Sequence, residues 1–282
     1  MNKLVIIGNG FDLAHGLPTS YNHFIDNFWS NVKNTYRQDI IQQLVEINSN
    51  YNNFLEFKPI SSFDCFIKNL SDYCKEYSYA FDSVNFRAYT FDSVHNKEVI
   101  IFRFNSILFR NLNSIKSSQK WVDIENAYYK ELKEIVKGTN NPLISKLERV
   151  KRLNLDFKII SDLLEEYLTK NVLEKFNFLP INNIKRSMAF FNKLFEFKNS
   201  GNPLDGIEEF SNEDFNDIID LNESVVKFIN GDSKEVEREA YFLNFNYTNT
   251  LQMHLFNLRR LKCGILNLSH IHGMLNDPEN PL

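Results

Sequence analysis

The chain has 282 residues, 43% hydrophobic and 24% charged, with a formal net charge of −4. That is the composition of an ordinary globular protein, either one large domain or a core with an inserted subdomain, and it carries no electrostatic footprint for nucleic acid. Cys65, Cys74 and Cys263 form neither a Cys-x-x-Cys metal pair nor a disulfide framework, and no apolar run reaches the length of a signal peptide or a membrane span, all of which fits a reducing cytoplasm.

The first element is Leu4 to Ile7, four apolar residues that read as a short buried strand. Gly8 and Gly10 follow, and a segment of helical spacing runs from Phe11 to His15. A strand, a Gly-x-Gly turn and a helix start together form a geometry that cradles phosphate, because glycine lets the backbone approach and the helix start offers free N–H groups. The dinucleotide fingerprint is incomplete, since Leu13 stands where its third glycine would be, and no acidic residue ends a second strand some twenty residues on. The plainer alternative is a tight strand-to-helix turn capped by Asn9 or Asp12. Gly16-Leu17-Pro18 breaks this helical turn, and Thr19 or Ser20 can cap a new helix from Tyr21.

From Tyr21 to about Glu239 the pattern is mostly helical. Phe24, Phe28 and Val32 start one apolar stripe, and Ile40, Ile41, Leu44 and Ile47 extend it. Ser62 and Asp64 cap a helix carrying Phe66, Ile67, Leu70, Tyr73 and Tyr77, along which Cys65 and Cys74 are expected as buried thiols. Val99 to Phe109 fits helix or strand; we read it as helix because the pattern extends in both directions. Trp121 to Val136 is amphipathic, with Glu125 at the edge of the apolar face, either on a solvated rim or aimed into a cleft. Leu143 to about Phe176 and Ile184 to Phe197 are further helices, followed by an Asn199–Pro203 loop and the acidic run Glu208 to Asp220.

The last quarter returns to α/β character. Ala240 to Phe245 and Gly264 to Ile271 read as strands, joined by a helix that Thr248 can cap and on which His254 is expected at the surface. In open parallel sheets ligands sit beyond the carboxyl ends of the strands. The Gly8–Gly10 turn, Asn246 and His272 all fall at such ends, so one parallel sheet with one mouth is expected. His270, one pleat before His272, is expected to be packed or held by a structural hydrogen bond. No carboxylate or cysteine joins the two histidines at a metal-ligand spacing, and no metal is expected.

Ile6-Ile7-Gly8-Asn9-Gly10-Phe11-Asp12, Trp121-Val122-Asp123-Ile124-Glu125, Asn244-Phe245-Asn246-Tyr247-Thr248 and His270-Ile271-His272-Gly273 resemble motifs of the bacteriophage abortive-infection AbiH family. The two ends are also similar to sirtuin-like NAD-binding domains, although Thr248 replaces an aspartate and the zinc-binding cysteine module is absent. The resemblance implies an α/β, Rossmann-like core from 1–30 and 238–282 with a large, mostly helical insertion at 31–237. Members of the AbiH family run on into a further glycine-rich acidic segment, so this chain is expected to be either a truncated or a natural short form. The resemblance also implies NAD or a related nucleotide as ligand, held by Gly8, Asn9, Gly10, Phe11, Asn244, Tyr247, Thr248 and Gly273. The implied chemistry is cleavage of the nicotinamide–ribose bond, with Asn246 positioning ribose or water, His272 as general base or hydrogen-bond partner to a ribose hydroxyl, and Asp12 or Glu125 steadying the positive charge. Two other classes stay open: a non-catalytic nucleotide sensor, and a metal-dependent nuclease or phosphohydrolase built on Asp12, Glu125 and His272. The phage trigger, partner protein and any homo-oligomer are not legible in the sequence.

Overall fold

The computed structural model describes residues 2–114, 122–138, 143–177, 239–260 and 265–271, together with residues 185, 187, 189 and 275. The protein is a mixed α/β chain in two compact units. One comprises Met1–Leu17 and Lys175–Leu282, the other Pro18–Glu174.

The first unit is built on a parallel three-stranded sheet in the order β1 (Asn2–Ile7), β6 (Glu239–Asn244), β7 (Ile265–His270). The register aligns Ile7 with Asn244 and Asn244 with His270, so all three strands end at one level. Phe245 N–H to Ile7 C=O (2.8 Å) and Ile271 N–H to Asn244 C=O (2.9 Å) carry the ladder one step further. The crossover helix α9 (Thr250–Arg260) packs Leu251, Leu255 and Leu258 on Ile7, Ala240, Phe242 and Leu266, with Val5, Phe11 and Leu268 at the margin. These positions alternate along the strands, as one face of a sheet must. The opposite face corrects the expectation of a fully buried first strand: Leu4 and Ile6 are 65% and 66% exposed. A run of four apolar residues does not by itself say whether one face or both are covered.

The second unit contains the expected helices α2 (Tyr21–Thr35), α3 (Asp39–Leu44), α5 (Phe63–Glu76), α7 (Val122–Lys137) and α8 (Leu143–Tyr167), the last continued by a π-helical stretch Leu168–Leu173. Ser20 caps α2 in a reciprocal capping box with His23, and Ser62 caps α5 by accepting from Cys65 N–H. Cys74 is buried, and burial raises its thiol to about 11; Cys65 is only half-buried, beside the Ser61 hydroxyl. The short helix Phe54–Phe57 is α4. The unit also holds a four-stranded antiparallel sheet, order β2 (Val45–Ile47), β5 (Lys97–Phe104), β4 (Arg87–Asp92), β3 (Ala80–Asp82), which a mostly helical reading omits.

Val99 to Phe109 is therefore not one helix. It is β5 to Phe104, then α6 from Ile107 to Ser114. The deciding feature is upstream. Phe-Asp-Ser-Val occurs twice, at Phe81–Val84 and Phe91–Val94, and makes the same turn each time. Asp82 Oδ1 accepts from Val84 and Asn85 N–H, and Asp92 Oδ1 from Val94 and His95 N–H. Each turn closes on a residue with positive φ, Phe86 and Asn96. Two such turns force antiparallel pairing, and the apolar run after the second becomes a strand. The core of this unit gathers around fully buried Trp29, ringed by Phe28, Phe63, Phe66, Phe102, Phe104 and Phe109. Among the described residues no helix is long and apolar enough to cross a membrane.

Candidate functional site

The carboxyl edge of the parallel sheet collects buried polar side chains. Gly8 is the N-cap of the six-residue helix α1 (Asn9–Ala14), with extended backbone and no side chain of its own to cap it. Neither Gly8 nor Gly10 has the positive φ that would make glycine obligatory, and a Cβ at either would meet nothing within 4 Å. The left-handed glycine is instead Gly16 (φ +84°), where the chain turns after α1. Space at Gly8 and Gly10 is thus open, which is what close approach of a ligand requires.

Asp12, on α1, is 1% exposed. Its Oδ2 accepts from the Thr248 hydroxyl at 2.7 Å, and Thr248 Oγ1 lies 3.1 Å from Thr250 Oγ1. Its Oδ1 is buried with no hydrogen-bond partner among the described residues. Burial raises the Asp12 pKa above the ordinary carboxylate value, while the Thr248 and Thr250 hydroxyls and nearby His15 pull it back. The helix α9 begins at Thr250, so Thr248 lies one residue too early to cap it as expected, and its hydroxyl instead donates to Asp12.

Asn244 and Asn246 divide the labour at the end of β6. Asn244 is fully buried; its Oδ1 accepts from Asn246 N–H (3.1 Å) and its Nδ2 donates to His270 Nδ1 (3.3 Å). His270 Nε2 lies 2.8 Å from the Gln252 amide, so His270 is held structurally, in keeping with the expectation. Asn246 is 4% exposed, yet neither its Oδ1 nor its Nδ2 has a partner among the described residues. Native proteins rarely bury an amide with both ends unpaired.

Of the other expected residues, Asn9 opens α1, Phe11 is half-buried against His15 and His254, and Tyr247 is half-buried with its carbonyl accepting from Leu275 N–H. His272 and Gly273 lie outside the described residues. Glu125 sits on α7 of the second unit, and its side chain is also outside them. Among the described residues no group of three or more His, Cys, Asp or Glu side chains could hold a metal ion.

The family model described as bacteriophage abortive infection AbiH matches residues 4–282. The chain belongs to the AbiH family. Membership ties this AbiH chain to abortive infection of bacteriophage, and the match spans residues of both units. No curated protein and no solved structure matches the chain.

Sequence reasoning missed His254, expected at the surface and found 1% exposed. Its Nδ1 is 3.1 Å from Ser187 Oγ and its Nε2 is 3.1 Å from His15 Nε2. The signal was present: Leu251, His254, Leu255 and Leu258 follow i, i+3, i+4, i+7, which puts the histidine on the buried face of α9.

Proposed function

We propose that the first unit is a Rossmann-like core that binds NAD or a related nucleotide beyond the carboxyl ends of β1, β6 and β7, and that the family's abortive-infection role runs through cleavage of the nicotinamide–ribose bond. The observation that carries the reading is Asn246. An amide buried without partners costs roughly 1–3 kcal/mol, and a ligand offering both donors and acceptors, as a pair of ribose hydroxyls does, recovers it. Asp12 Oδ1 asks for a donor, which a ribose hydroxyl also supplies. Free Cys65 and Cys74 accord with a reducing cytoplasm as the setting.

In the proposed step the bond from C1′ to the nicotinamide nitrogen breaks, its electron pair stays with nicotinamide, and water captures the oxocarbenium-like ribose. Gly8, Asn9, Gly10 and Phe11 border the phosphates; Asn244, Tyr247, Thr248 and Gly273 border the nucleoside. Asn246 positions the ribose or the attacking water, and His272 takes the water's proton. Asp12 steadies the positive charge.

The test is incubation of the purified protein with NAD, with and without phage components, followed by chromatography for nicotinamide and ADP-ribose. Nicotinamide release is expected, lost in Asn246→Ala and His272→Ala proteins that still fold. Binding without turnover would identify a sensor. Nucleic-acid or phosphoester cleavage stopped by a chelator would replace this reading with the metal-dependent one.

A further inference from the structure

Buried His254 and half-buried His15 lie beside the polar edge and take no part in the proposed reaction. Hydrogen-bond direction assigns its protons. The Phe11 carbonyl can only accept, so His15 Nδ1, 2.7 Å away, carries hydrogen. Neutral His15 then has only an acceptor at Nε2, so the facing His254 Nε2, at 3.1 Å, is the donor. His254 Nδ1 is in turn an acceptor and takes the Ser187 hydroxyl hydrogen at 3.1 Å. Ser187 Oγ accepts from Asn257 Nδ2, also at 3.1 Å. One directed chain thus runs Asn257, Ser187, His254, His15, Phe11, and it ties α9 to α1. Ser187, His254 and Asn257 are all at most 2% exposed.

The same geometry counts protons. A first proton from solvent enters at His254 Nδ1 and asks only that the Ser187 hydroxyl hydrogen turn away, leaving Oγ to accept. A second must enter at His15 Nε2, where it meets the His254 N–H head-on. Asp12, on the same helix, interacts electrostatically with His15, and His254 faces it from α9; Ser187 and Asn257 are uncharged. Asp12 is fixed on the same short helix, one turn before His15, and its carbonyl accepts from His15 and Leu17 N–H. Whatever holds His15 therefore holds Asp12.

We propose that His254 is a positioning residue that latches α1, and with it Asp12, through His15, and that the latch admits one proton and opens on the second, making the site proton-sensitive. The ligand half of this proposal rests on the nucleotide reading above; the latch itself does not.

The experiment has two arms on the full chain. In the first, nitrogen NMR of histidine-labelled, unliganded protein at about pH 8 should show opposite tautomers, His15 protonated at Nδ1 and His254 at Nε2. On acidification to about pH 5.5, the α1 amides should lose hydrogen-exchange protection in the native protein. They should keep it in His254→Gln, whose amide donates to neutral His15 and accepts from Ser187, and on protonation of His15 can turn over to accept from His15 and donate to Ser187. In the second arm, calorimetry with NAD should show binding that weakens about tenfold or more over the same range. That fall should be flattened in His254→Gln, and affinity should be about tenfold lower throughout in His254→Phe, the size of one buried hydrogen bond. Matching tautomers, or acid-induced exchange unchanged by His254→Gln, would overturn the latch. Absence of NAD binding at every pH with the NMR arm as expected would overturn the nucleotide reading and leave the latch standing.

Discussion

Two buried asparagines, one in each unit, meet opposite fates. In the second unit Asn113 is 8% exposed; its Oδ1 accepts from Trp29 Nε1–H at 2.7 Å and its Nδ2 donates to the Phe109 carbonyl at 2.7 Å. In the first unit Asn246 is 4% exposed and has no partner at either end among the described residues. The first asparagine serves the fold: it satisfies the one polar atom of a tryptophan at the centre of an aromatic core. The second has its backbone fixed by Asn244, and in the proposed function its side chain is what meets the ligand. An unsatisfied buried group is a stability cost that persists where function needs it.

The largest effect that can break this comparison is in the second unit. Asn113→Ala orphans the Trp29 N–H and leaves a small void, and should destabilise by about 2–3 kcal/mol. Both tryptophans, Trp29 and Trp121, fall within 18–174, so urea unfolding followed by tryptophan fluorescence reads this unit. Asn246→Ala should leave that transition in place and lower a circular-dichroism transition by no more than about 0.5 kcal/mol, because losing the unpaired amide offsets the void it leaves. Equal losses for both variants would mean that Asn246 is structural.

Asp12 sharpens the same contrast through pH. Its folded pKa is raised by burial above its unfolded value. The ionised form is thus disfavoured in the fold, and stability from this group is highest below about pH 4 and falls as pH rises through the folded value. Asp12→Asn removes that cost and retains an oxygen to accept from Thr248. Its Tm relative to native should therefore be higher at pH 7.5 than at pH 4.5, by about 2 °C, while nicotinamide release is lost. A gain larger at the acid end would show that the Thr248 and Thr250 hydroxyls and His15 outweigh burial.

The smallest effect is at Gly10. Alanine there meets open space at negative φ within α1, so stability should rise by about 0.5 kcal/mol. NAD affinity measured by calorimetry should nonetheless fall, because the added methyl occupies the approach to the turn. Unchanged affinity would make the glycine turn structural alone.

Much of this protein was determined locally and could be read from the chain. Ser20 and Ser62 cap helices because the hydroxyl and the N–H it accepts from are three residues apart. The three strands of the parallel sheet are short apolar runs between turn residues, and each ends in polar residues that the register brings to one level. The tertiary structure decided what local spacing does not contain. Thr248 reads as a cap from its neighbours, but the helix begins only at Thr250, and the Thr248 hydroxyl donates to the carboxylate of Asp12, 236 residues away. Val99 to Phe104 matches helix and strand alike until the two Asp-Ser-Val turns pair it with β4 and β2. His254 lies on an apolar helical face whatever it touches, and only the fold supplies His15 and Ser187 as the partners that let an imidazole be buried there. Periodicity says which face of an element is buried; which polar atoms meet on that face is set by the folding of distant segments, because a hydrogen bond is made only within about 3 Å.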